Sequence, residues 1–226
     1  MRLGARTWPD LTRDPPPVLL LPLGATEQHG PHLPLETDTL IAAAIAEGAA
    51  AGHPDLVAAP ALPYGSSGEH AGFPGTLSLG QAALELAVVE LVHSADAFAG
   101  VVLVAWHGGN AEPVARAVAT LHAEGRRVAC WRSPLRGGDA HAGRTETSLM
   151  LAIAPELVGT ARPVGATEPI DALMPALRGR GVRAVAPNGV LGDARGATAQ
   201  EGGALLADLV ADVSAAAAAA RPIPAR

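Results

Sequence analysis

Lysine is absent from the 226-residue sequence: all 16 basic residues are arginine. Without lysine, a Schiff-base enzyme, a P-loop nucleotidase and a lysine-dependent kinase are excluded. Cysteine is nearly absent as well. Cys130 stands alone, which excludes an intrachain disulfide, a zinc ribbon and a redox CxxC pair. Aromatics are scarce, at two Phe, one Tyr and three Trp, whereas alanine occurs 49 times. A core of that composition is built from close approaches of small side chains. Positive charge is in deficit, with 16 basic against 22 acidic residues and a net charge of −6, which argues against a nucleic-acid partner. No uninterrupted apolar run approaches the ~18–20 residues that cross a bilayer. Residues 1–17 are polar and Pro-rich, unlike a signal peptide. A cytoplasmic protein without a membrane partner is the expectation.

What the chain does contain is 49% apolar residues, enough for a sizeable core. The expectation is a single domain over 1–226. Val18–Leu23 is a continuous apolar run, the pattern of a strand buried on both faces. Residues 56–62, 101–105 and 127–131 read the same way. Helical spacing predicts helices at 38–51, 81–97, 111–124, 145–154 and 199–220, with capping boxes expected from Ser78 with Gln81 and from Thr198 with Glu201. Strands alternating with helices imply an α/β fold with a mostly parallel sheet. Gly and Pro (26 and 20 residues) gather at 60–76, 132–143 and 159–196, in stretches too rich in specific polar groups to be mere linkers.

In such sheets ligands bind beyond the carboxyl ends of the strands, and the polar clusters fall there. After the first strand come Glu27, His29 and His32, with Asp38 opening the next helix: four possible metal ligands within 12 residues. Glu27 and His29, two apart in an extended segment, point to the same side. Imidazoles with carboxylates suit zinc, iron or manganese, although a solvated polar turn with Asp38 at a helix start stays open. His107 follows an apolar run and precedes two glycines, a place for a ligand or for a structural histidine. His141 lies in a Gly-rich loop five residues before Glu146, which is either a ligand or a favourable helix-dipole charge. Glu69 and His70 lie in the polar stretch 64–76, read either as a substrate-side wall or as an ordinary surface loop. Together these groups are as many as a two-metal hydrolytic site needs. No GxSxG elbow or GxGxxG turn competes, and Cys130 inside an apolar run reads as a buried, inert thiol.

The stretch Pro22-Leu23-Gly24-Ala25-Thr26-Glu27-Gln28-His29-Gly30-Pro31-His32-Leu33-Pro34-Leu35 with Thr37-Asp38 resembles the opening motif of the creatininase family of metal-dependent amidohydrolases. Gly68-Glu69-His70 with Phe73-Pro74-Gly75-Thr76, His107-Gly108-Gly109-Asn110, and His141-Ala142-Gly143 with Glu146-Thr147-Ser148 are similar to its later motifs, in order, over about 18–155. Gly189-Val190-Leu191-Gly192-Asp193 and the stretch to Gly202 are also similar to family members. The resemblance implies a three-layer α/β/α sandwich and two divalent metal ions per chain (zinc, iron or manganese). It implies that Glu27 holds one ion, His29 the other, that Asp38 bridges them, and that His107 joins the ion held by Glu27. Creatininase itself carries a glutamate where this chain has Gly109, and Glu146 is the expected replacement. A second departure is Ala105-Trp106, where relatives commonly carry Asn-Gly.

Within the family, the short length and the segment Gly137-Gly138-Asp139 to Ser148 look most like the mycofactocin-system branch, whose members are peptidases. The reaction implied is metal-assisted amide hydrolysis that releases a modified C-terminal Val-Tyr dipeptide from a ribosomally made precursor peptide. His141 is the candidate for handing a proton to the departing amine; His32, Glu69, His70 and Trp106 are candidates for lining the pocket. Hydrolysis of creatinine or another small cyclic amide or formamide is the alternative, and a non-catalytic metal-containing peptide-binding protein is the third reading. The family is generally oligomeric, so a homo-oligomer is expected.

Overall fold

The computed structural model describes residues 1–133 and 138–219. Gly137 of the motif segment and Ala220 of the last expected helix lie outside them. Strand β1 (Val18–Leu23) is followed by α1 (Thr37–Gly52), β2 (Leu56–Ala58), α2 (Gln81–His93), β3 (Gly100–Ala105), α3 (Ala111–Ala123) and β4 (Val128–Arg132). Then come α4 (Arg144–Ile153), α5 (Ile170–Arg180), α6 (Val182–Val185) and α7 (Ala199–Ala219). The strands form one sheet in the order β2-β1-β3-β4, every pair parallel. All six residues of β1 and all six of β3 are buried, as a strand covered on both faces requires.

Alternation along the strands sorts their side chains into two cores. Leu20, Val102 and Val104 pack with Ile41 and Ile45 of α1, Leu149 and Met150 of α4, and Leu209 and Val213 of α7. Leu19, Leu21, Leu23 and Leu103 face the other way, onto Leu84, Val88 and Val92 of α2 and Val114, Ala117 and Leu121 of α3. The result is the expected three-layer α/β/α sandwich. Alanine's role is visible in α1, where Ala42, Ala46, Ala49 and Ala50 are all buried and let helix and sheet approach closely.

Three local expectations are corrected. The strand at 56–62 stops at Ala58, since Pro60 and Pro63 cannot donate to a ladder; Leu62 keeps only an isolated bridge to Leu23. Ser78 does not cap α2. Its hydroxyl accepts from the amides of Ser67 (2.9 Å) and Gly80 (3.1 Å), while Gly80 itself, at φ 74°, leads into the helix, which ends at His93 rather than at 97. Thr198 forms half of its box: it accepts from the Glu201 amide at 3.1 Å, but the Glu201 carboxylate turns to Arg144 and Ser148.

Helix α7 comes nearer to membrane-spanning length than the run-by-run reading suggests, being long and apolar enough by length and composition. It is interrupted by Asp208 and Asp212, buries Leu209, Val213 and Ala217, and Asp212 accepts the Trp131 indole N–H at 2.5 Å. Helices α5 and α6 form a third, small core of Leu173, Leu177, Val182, Ala186 and Leu191 with Phe73. They stand against the short turn Gly68–His70 beside the strand ends.

Candidate metal centre

Beyond the carboxyl ends of β1 and β3, five separate segments deliver their polar groups to one place. The loop after β1 supplies Glu27 and His29, the first turn of α1 supplies Asp38, and the turn at 68–70 supplies Glu69 and His70. The end of β3 supplies His107, and the entry to α4 supplies His141 and Glu146. Glu27, His29, Asp38, His70, His107, His141 and Glu146 are all buried. Gly24 permits the approach: a Cβ there would lie 2.7 Å from the backbone nitrogen of Thr39, so any other residue would push the first turn of α1, and Asp38 with it, off the strand end.

Asp38 is central. Its Oδ1 lies 3.3 Å from His29 Nε2 and its Oδ2 lies 3.3 Å from His107 Nδ1. Ligand atoms of Glu27, Asp38 and His107 fall within 4.8 Å of one another, as do those of His29, Asp38 and Glu146, so two potential cation sites share one carboxylate. Glu27, His29 and His141 make a third such group. Both oxygens of Glu27 and Oδ2 of Asp38 are buried without a well-formed hydrogen bond, although imidazole nitrogens stand 3.1–3.3 Å away. Buried carboxylates with open lone pairs and neighbouring imidazoles fit divalent cations of the zinc, iron and manganese type.

The imidazoles are oriented from behind by main-chain carbonyls, as metal-binding histidines usually are. His29 Nδ1 donates to the Glu27 carbonyl (3.1 Å), His107 Nε2 to that of Ser66 (3.0 Å) and His141 Nε2 to that of Gln28 (2.8 Å). The Gln28 amide joins three segments: Oε1 accepts from Gly30, and Nε2 donates to the Gly189 carbonyl (3.0 Å) and to His70 Nδ1 (2.9 Å). That leaves His70 its Nε2–H, pointing at Glu27 Oε1 3.1 Å away. Asn110 ties the remaining loops together, donating to the Gly24 carbonyl and accepting from the Ser66 amide.

Electrostatics follows from burial against neighbouring charge. Burial opposes a charge on His29, yet Asp38 beside it outweighs burial and raises its pKa to about 9. His107 is raised for the same reason by Glu27 and Asp38. Burial would raise Glu27 as well, but His107 wins and holds it at about 2; Asp38 is likewise lowered by His29 and His107. Burial dominates at His70, lowered to about 3, and at His141, also lowered. Without cations, protons on His29 and His107 supply the positive charge that the acids demand.

The other expected pocket residues are spread differently. Glu69 stands at the mouth, 3.5 Å from His107 Nε2, with about a third of its side chain exposed (32%) and its pKa raised by burial. His32 is buried with Nε2 against the Thr147 hydroxyl (2.8 Å), outside the three ligand groups. Trp106 is half-buried and its indole N–H donates to Glu146 Oε1 at 2.9 Å.

Gly109 has no room for a side chain. A Cβ there would fall on the Ser66 carbonyl, the Glu69 carboxylate and the His107 ring, whereas one at the adjacent Gly108 would meet nothing within 4 Å. Gly109→Ala should therefore cost roughly 1–3 kcal/mol of stability and displace His107, while Gly108→Ala leaves the thermal midpoint unchanged. Melting curves of the two variants side by side check this.

Sequence reasoning assigned no role to Gln28, although it sits between two candidate ligands, and nothing in the sequence marks the Ser66 carbonyl. The comparisons with known proteins agree with the geometry. The family described as creatinine amidohydrolase matches residues 5–217. A mycofactocin precursor peptide peptidase of Mycolicibacterium smegmatis is 50% identical over 201 residues, covering 86% of this chain and 81% of that protein. One from Mycobacterium tuberculosis is 45% identical over 207 residues, covering 87% and 82%. Among solved structures, a creatinine amidohydrolase superposes with a TM-score of 0.78 at 27% identity over 98% of both chains. A manganese creatininase superposes with a TM-score of 0.75 at 26% identity, over 98% of this chain and 99% of that one. With the family matched over nearly its whole length, the chain belongs to the creatininase family of amidohydrolases.

Proposed function

We propose that this chain is a two-metal peptidase that releases the modified C-terminal Val-Tyr dipeptide of the mycofactocin precursor peptide. The observation that carries the metal chemistry is Asp38, shared by two buried ligand groups. The peptide substrate rests on the two mycobacterial relatives. Glu27, Asp38 and His107 would hold one divalent cation and His29, Asp38 and Glu146 the other. Such cations supply Lewis-acid polarisation of an amide carbonyl and acidification of water.

The protein's own groups do the rest. His141 is neutral at pH 7 and gives its Nε2–H to Gln28, so its Nδ1 lone pair faces the cluster, 3.8 Å from Glu27 Oε1. It would take a proton at Nδ1 from the water that attacks the amide carbonyl and return it to the amine nitrogen as the C–N bond breaks. His70 steadies Glu27, and Glu69 at the mouth offers a carboxylate to substrate N–H groups. Tyr64, Leu77, Leu79 and Leu86, large apolar side chains between 41% and 61% exposed, support self-association into a homo-oligomer.

Metal-loaded protein incubated with the modified precursor and, separately, with creatinine tests this reading by mass spectrometry. The expected result is a precursor shortened by its C-terminal dipeptide, only when metal is present. Turnover of creatinine with an intact precursor would overturn the peptidase assignment. Peptide binding without any fragment would favour a non-catalytic role.

A further inference from the structure

Glu146 differs from the other buried carboxylates of the cluster: both of its oxygens are engaged by fixed N–H donors. Oε1 accepts the Trp106 indole N–H at 2.9 Å, and Oε2 accepts the Ala142 amide at 2.7 Å. Neither donor is free to turn away. Trp106 follows directly on β3, its amide donates to the Leu23 carbonyl, and its ring packs against the core that α1, α4 and α7 share. Ala142 is fully buried at φ 54°, in the left-handed region, and its peptide N–H has no side-chain rotamer by which to leave Glu146.

The two oxygens are left unequal. Oε2 faces His29 Nε2 at 3.8 Å, on the side where Asp38 Oδ1 lies 3.3 Å from the same nitrogen. Oε1 is turned toward an indole nitrogen, which donates and cannot accept. We propose that Trp106 is a positioning residue for Glu146, holding the carboxylate so that only Oε2 is offered to a cation shared with His29 and Asp38. The inference rests on the metal-centre reading above. It gives Trp106 a task at one of the two cation sites, since its hydrogen bond goes to Glu146 and not to Glu27, Asp38 or His107.

Cobalt(II) titration of the metal-free protein tests it, because visible ligand-field absorption reports the number of ligands on the ion. Two variants are compared with the unaltered chain: Trp106→Phe, and Trp106→3-benzothienylalanine, which keeps the fused rings and removes only the N–H. One ion of the pair should bind ~10–100-fold more weakly, with weaker absorption as Glu146 swings to offer both oxygens, while the other ion is unaffected. Unchanged affinity and spectrum in the benzothienyl variant would overturn the proposal, as would equal weakening of both ions, the mark of a general packing role. Failure of the unaltered protein to take up cobalt would instead overturn the metal-centre reading, and this inference with it.

Discussion

Asp38→Ala should strip the protein of both cations and lower peptide cleavage at least about 1,000-fold, equivalent to ~4 kcal/mol of transition-state stabilisation. No other side chain of the cluster stands between the two ligand groups: Oδ1 serves His29 and Oδ2 serves His107, each at 3.3 Å. Removing Glu27 or Glu146 takes one carboxylate from one group, whereas removing Asp38 takes one from both. The folded protein is affected too, because the two imidazoles lose the carboxylate that holds their protons. Breaking a buried ion pair by deleting one partner costs about 3–5 kcal/mol, so the thermal midpoint should fall even in the metal-free state. Elemental analysis, scored as ions per chain, separates the outcomes. Two ions retained with unchanged activity would refute the shared role, and loss of a single ion would show that Asp38 serves only one site.

Much of this architecture was legible because its physics is local. The β1 run is apolar without alternation since both faces are covered, and the order of strands and helices follows from periodicity. The stretch from Glu27 to Asp38 stands out because four potential ligand side chains fall within a dozen residues, and the fold gathers three of them, Glu27, His29 and Asp38, while His32 turns to Thr147. Illegible features depend on partners distant in sequence. Ser78 has the spacing of a cap, yet its hydroxyl is claimed by Ser67, eleven residues back. Helix α5 carries Pro175 and is followed by the capping residue Gly181, so its periodicity is broken, and its apolar face joins the small core with α6. The role of Gln28 depends on His70 and Gly189 meeting its side-chain amide and His141 meeting its backbone carbonyl. The pairing of Trp106 with Glu146 spans 40 residues, and the sequence offers two departures from the family pattern without a sign that they touch.

Chelating divalent cations from the protein should turn a broad stability plateau into a peak near pH 6.5. The alkaline arm comes from imidazoles whose protons are held by carboxylates. His29 titrates at about 9 in the folded protein against an ordinary 6.5, so its contribution is complete below 6.5 and disappears as pH rises through 9. His107 carries the same sign. The acid arm comes mainly from histidines that burial keeps neutral. His32 and His70 are lowered to about 4 and about 3, so below pH 6.5 the unfolded chain takes up their protons first and stability falls. Glu27, held at about 2 against an ordinary 4.5, adds a further loss as pH drops below 4.5. Cations reverse the alkaline arm, because ligand imidazoles must be neutral. Loading at pH 7 should therefore release about two protons per chain, one each from His29 and His107. At a free metal concentration 1,000 times the dissociation constant, the folded state gains ~4 kcal/mol, and the fall in stability between pH 7 and pH 9 vanishes. Calorimetry in two buffers of different ionisation enthalpy counts the protons, and urea melts at pH 5, 7 and 9 with and without zinc trace both arms. Metal uptake without proton release, or a metal-free protein as stable at pH 9 as at pH 7, would mean that cation and proton do not compete for the same two imidazoles.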